Sequence, residues 1–145
     1  MQWIVLALLV ALFYGAYNFL IKLSSTHIHQ MAGAVILQLI ALLLGVAGLV
    51  YLKANDYPVE VTRDGVRYSV AAGVFVGLAE ILSFYVFSLG TSASRGIPII
   101  IGGSIVVGAL LGWSILREEM KVSDWVGIVL IAGGVVVLTM RERAH

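Results

Sequence analysis

Charged residues are so sparse in this chain that they cut it into five long apolar runs, Trp3–Ile21, Gln30–Leu52, Tyr68–Leu89, Gly96–Leu116 and Trp125–Met140. A helix crossing the hydrocarbon of a bilayer needs about 20 consecutive apolar residues, and the first four runs meet that length. The fifth meets it when it starts near Val122 with Asp124 at the interface. A water-soluble fold has no use for so much apolar sequence: 61 % of the 145 residues are hydrophobic and 12 % are charged, where a soluble domain carries about 25 % charge. A soluble domain of about 150 residues buries only ~70 % of its unfolded surface. Disorder is excluded by the same hydrophobicity. The expectation is an all-α membrane protein, a bundle of five transmembrane helices in one membrane domain over residues 1–145. Its spans are placed at about 3–21, 30–52, 68–89, 96–116 and 122–140, and its location is the cell (inner) membrane as a multi-pass protein in the lipid bilayer.

Several function classes fall away at once. The formal net charge is +1, which gives no electrostatic footprint for nucleic acid. The chain has no cysteine, so disulfides, thiolate nucleophiles and cysteine-based metal sites are excluded. No nucleophile–base set, phosphate-binding glycine loop or zincin motif occurs, and the chain is read as not an enzyme, without cofactor or metal. His27-x-His29 is a loop pair with no further ligands and reads as two solvated histidines.

The first run follows Met1-Gln2, which is no basic leader, and no small-residue cleavage pattern precedes Lys22, so a retained first helix is expected. Five spans put the termini on opposite faces. The face holding Met1, called side A, carries Lys53, Arg63, Arg67, Arg117 and Lys121; side B carries Lys22, Arg95, Arg141 and Arg143. Short-loop basic residues bias insertion, and five against four is a weak bias toward side A inside. Trp3, Trp113 and Trp125 fall near side A, where interfacial belts place such rings. Lys22 and Arg95, at the side B ends of their helices, are read as reaching for headgroups, with a cationic mouth for an anionic substrate as the alternative.

Glu80 is the one charged side chain inside a span. A central acidic residue costs roughly 2.5–3.5 kcal/mol on insertion scales, so such residues face the bundle interior and mark pathways. Removal from water disfavours a carboxylate against the neutral acid, which makes Glu80 a candidate proton- or cation-binding group; the competing reading is a hydrogen-bonded packing residue. Gly73, Gly77, Glu80 and Phe84 share a helical face. Gly73 and Gly77, like Gly108 and Gly112 on the fourth helix with Ser104, are spaced for close helix packing. Tyr14, Gln38, Glu80 and Ser104 all fall within ~5 Å of the midplane at 1.5 Å per residue. Helices one, three and four are therefore expected to line a substrate cavity with Tyr14, Asn18, Glu80 and Ser104, walled by Tyr17 and Tyr85.

The segment Leu116-Arg117-Glu118-Glu119-Met120-Lys121-Val122-Ser123-Asp124-Trp125-Val126-Gly127, running on to Ala132-Gly133-Gly134, resembles the closing segment of EamA-type repeats in the drug/metabolite transporter superfamily. Glu118, Gly127 and Gly134 fit that spacing, and Tyr85–Ala93 and the first helix with Gly15 and Asn18 fit as well. Where the family often has a proline in helix four, this chain has Ser104-Ile105. The resemblance implies secondary transport of a small organic solute or metabolite by alternating access; a proton-coupling role in the manner of an antiporter is expected of Glu80 because it is the sole charge within a span. Glu118, at the membrane edge beside Arg117 and Lys121, is read as structural. Most members contain two five-helix repeats in inverted orientation; this chain is one such unit, similar to the single-repeat members. Its expected partner is a second copy in an antiparallel homodimer, or a heterodimer with a different, oppositely oriented half. The alternative to transport is a non-transporting membrane accessory or assembly subunit.

Overall fold

The structure, a computed structural model, describes residues 2–140; Arg141 and Arg143, counted above on side B, lie outside the described residues. Five helices follow one another: α1 (Gln2–Ser24), α2 (Gln30–Ala54), α3 (Arg63–Ser88), α4 (Ala93–Ser114) and α5 (Val122–Met140). Each is long and apolar enough to cross a membrane, and no strand occurs among the described residues.

The helix ends differ from the hydropathy cuts for local reasons. α3 begins at Arg63, five residues before its apolar run. Thr62 Oγ1 accepts the Gly65 N–H at 3.1 Å, and Arg67 pairs with Asp64 at 3.1 Å. An acidic residue in a first turn suits the helix dipole, so charge here extends the helix where a cut at charges ends it. His29, read as a solvated loop residue, caps α2: its Nδ1 accepts the Met31 N–H at 3.3 Å. Pro98 lies inside α4 rather than at its first turn, so its missing N–H falls where a helix would bond back to Ser94. Gly90 closes α3 at φ +94°, a left-handed position that glycine takes without a Cβ penalty.

The chain divides into two compact units. The central unit, Leu20–Gly90, holds the last turn of α1 and the packed pair α2 and α3. Of its glycines, Gly33 is met most tightly, by the ring of Phe84: a Cβ at Gly33 would lie 2.5 Å from Phe84 Cε1. Between helices in lipid, packing replaces the hydrophobic effect as the driving force, and small residues permit the closest contact. Phe84 is 3 % exposed, so the ring has nowhere to retreat. Gly33→Ala is expected to destabilise the protein by about 1–3 kcal/mol, the cost of overpacking, in reversible unfolding in mixed micelles. Adding Phe84→Leu should recover part of the loss, and a double variant no better than the single one would show that the ring is not the obstacle.

The terminal unit consists of the described part of Met1–Phe19 together with Thr91–His145, and here α4 packs on α5. Gly102 is the small residue at that contact, its would-be Cβ 2.7 Å from Val135 Cγ2. Across the α4–α5 turn, the rings of Trp113 and Trp125 meet edge to face at 5.4 Å and 78°, a favoured aromatic geometry. The turn is built by Arg117 at φ +54°, with the Glu118 N–H donating back to the Gly112 carbonyl at 3.3 Å. Asp124 then accepts the Lys121 N–H at 2.8 Å, which caps α5. A left-handed residue with a side chain costs about 1–2 kcal/mol. Arg117→Gly should therefore raise stability by about 1 kcal/mol and Arg117→Val lower it, read by the same unfolding measurement; equal stability for the two variants would remove the strain at this position.

Candidate functional site

The terminal unit contains a groove between α1 and α4 of about 490 Å³, lined by Ala7, Val10, Ala11, Tyr14, Ile101, Ser104 and Ile105. The lining recurs at helical spacing on both elements, as it must when one face of each turns toward the other. Tyr14 and Ser104, expected from the sequence to share a cavity, bring the only hydroxyls of this lining. Ser104 Oγ donates to the Ile101 carbonyl at 2.8 Å, so its oxygen is left to serve a further partner only as an acceptor. The rings of Tyr14 and Tyr17 stand edge to face at 6.0 Å. Asn18, one turn further along α1, is buried and turns its amide onto the Tyr14 carbonyl at 2.8 Å. That bond spends one donor on the helix backbone and fixes the side chain against it.

The central unit carries the carboxyl. Glu80 is 5 % exposed, and Ser83, Phe84 and Phe87, three, four and seven residues on, are buried with it. This is one continuous face of α3. In an apolar medium a buried carboxyl can hold a proton or balance a cation, and α3 offers no other acidic group beyond its first turn. Tyr85, expected as an aromatic wall beside Glu80, is exposed; five residues at 3.6 per turn set it about 140° away around the helix.

The glycines do not behave alike. Gly77 meets the side chain of Gln38 from α2 at 3.7–3.8 Å, which is ordinary contact. Gly112 is covered by the carboxyl of Glu118, 2.6 Å from its would-be Cβ, and this agrees with a structural role for Glu118. Gly73 and Gly108 meet no atom within 4 Å. The close helix approaches are instead at Gly33 and Gly102, which lie outside the small-residue repeats singled out in the sequence. Lys22 was also read differently there. Its Nζ donates to the Phe87 carbonyl at 3.2 Å rather than reaching for headgroups, and no local pattern in the sequence announces a bond between residues 65 positions apart.

Among the described residues, no group of three or more histidine or acidic side chains gathers to hold a metal ion. The family described as EamA-like transporters matches the chain over residues 1–140. No curated protein and no solved structure gives a match.

Proposed function

Since the chain belongs to the EamA-like transporter family over nearly its whole length, and so is a multi-pass membrane protein of a transporter family, we propose that it moves a small organic solute by alternating access, with proton coupling through Glu80. The observation that carries this reading is the burial of Glu80. In a chain whose spans leave most of their apolar side chains exposed, the one acidic residue in mid-span is 5 % exposed. A carboxyl in hydrocarbon is expensive, and a residue serving only to join helices would do so at less cost as an amide or a hydroxyl. Protonation on one side of the membrane and solute or cation binding on the other would use the group in both of its states.

The groove of Tyr14 and Ser104, within the terminal unit, is proposed as a solute-contacting surface in its own right. Its apolar walls suit the hydrocarbon portion of a solute, and its two hydroxyls can fix a polar group. Tyr17 and Asn18 are assigned to the groove as supporting groups, and Tyr85, exposed on α3, to solute contact within the central unit. Gly73 and Gly108, with open space above them, are assigned to packing against a second half. One five-helix unit supplies half of an inverted-repeat transporter, and the second half in this proposal is another copy of the chain in the opposite orientation. Closed two-fold dimers are the commonest homo-oligomers.

Because the chain has no cysteine, introduced thiols report cleanly. Tyr14→Cys and Ser104→Cys are expected to react with a water-soluble methanethiosulfonate in membranes. A transportable solute should slow that reaction. Complete protection of both positions in active protein would rule out an aqueous cavity at the groove.

A further inference from the structure

Lys22 has a place in the fold that the proposed function leaves unused. Its ammonium lies 3.2 Å from the Phe87 carbonyl and 5.9 Å from the centroid of the Phe87 ring, so a single residue of α3 offers it both a carbonyl and a π-face. Phe87 is fully buried. Its carbonyl also accepts the Gly90 N–H at 3.1 Å, which is the bond that turns the chain out of α3. The negative end of the α3 dipole is therefore met by a cation from α1, and both lone pairs of this carbonyl are used.

Phe87 lies on the Glu80 side of α3. Seven residues make two helical turns to within about 20°, so Phe87 and Glu80 share one side of α3 about 10.5 Å apart along its axis. Ser83 and Phe84 fill the interval, both buried. A slip of α3 by one residue would swing this face by about 100°, which would carry Glu80 off the buried side and break the Lys22 bond in the same movement.

We propose that Lys22 is a positioning residue for Glu80: it clasps the end of α1 to the Phe87 carbonyl and so fixes the rotation of the α3 face that carries the carboxyl. The importance of that setting for solute handling rests on the role given to Glu80 above, whereas the clasp itself can be read without any solute. The last turn of α1, α2 and α3 contain no tryptophan, since Trp3, Trp113 and Trp125 all belong to the terminal unit. Tryptophan emission therefore monitors the terminal unit while a thiol at Ser83 monitors the α3 face.

The test uses the full chain, purified in detergent, carrying Ser83→Cys, with a water-soluble methanethiosulfonate as probe. With Lys22 present the thiol should react slowly, because Ser83 is 8 % exposed. Lys22→Met should accelerate the reaction by about tenfold or more, the factor that accompanies loss of one hydrogen bond to a charged group. Lys22→Arg, which still donates from a cation, should keep the slow rate, and tryptophan emission should be the same in all three. An unchanged rate in Lys22→Met overturns the proposal. So does acceleration with a shifted tryptophan spectrum, which would mark general loosening rather than release of one face. If the rates follow the expectation and no solute is transported, the clasp stands and the transporter reading fails.

Discussion

Glu80→Gln is expected to abolish solute-driven proton movement and reduce it to the level of protein-free liposomes. The amide has nearly the size of the carboxyl, so the buried face of Glu80, Ser83, Phe84 and Phe87 keeps its packing. It can neither release a proton nor balance a cation. Stability should not fall, because the roughly 2.5–3.5 kcal/mol insertion cost of a central charge is removed rather than added. Glu80→Asp should retain part of the flux, since it keeps the titrating group and shortens its reach. Full pH-dependent transport by Glu80→Gln, measured in liposomes at matched protein density, would leave the carboxyl without a role in coupling.

The second large effect concerns orientation. The basic residues stand at five on side A against four on side B, close enough for insertion both ways under the positive-inside rule. C-terminal fusions to two reporters, one active only in the cytoplasm and one only outside it, should both give strong signal. Two lysines added near His145 should silence the outside reporter and, alone, abolish function. Co-expression with a chain biased the other way, Arg141→Ala with Arg143→Ala, should restore it. Signal from one reporter alone for the parent chain would eliminate the antiparallel homodimer and require a different protein as the opposing half.

The five helices were legible because run length against bilayer thickness is a coarse test that charge spacing passes easily. Their ends were not, because Thr62 and Asp64 place a charged turn on α3 before the apolar run of the sequence has begun. Site residues divide along the same line. Glu80 stood out as the only mid-span charge, and Tyr14 and Ser104, set at one depth by the sequence, line one groove between α1 and α4. Helical phase places Tyr85 away from Glu80, and its depth alone had suggested a wall. Small-residue spacing marks many possible contact faces, and only the partner's shape selects one: Gly33 packs because Phe84 lies above it, while Gly73 has no neighbour within 4 Å. The bond of Lys22 to Phe87 depends on where two helix ends meet, which no periodicity within either helix encodes.

The most direct measurement is solute-dependent proton flux by the purified parent chain in liposomes that enclose a pH-sensitive dye. Gradients of amino acids, nucleosides and aromatic amines would be imposed one at a time. At least one solute should change the internal pH in proportion to protein density, with no change in protein-free vesicles or in those holding Glu80→Gln. If no solute in these classes moves protons or is itself taken up by the parent chain, the transport account is contradicted and an accessory role in a larger membrane assembly takes its place.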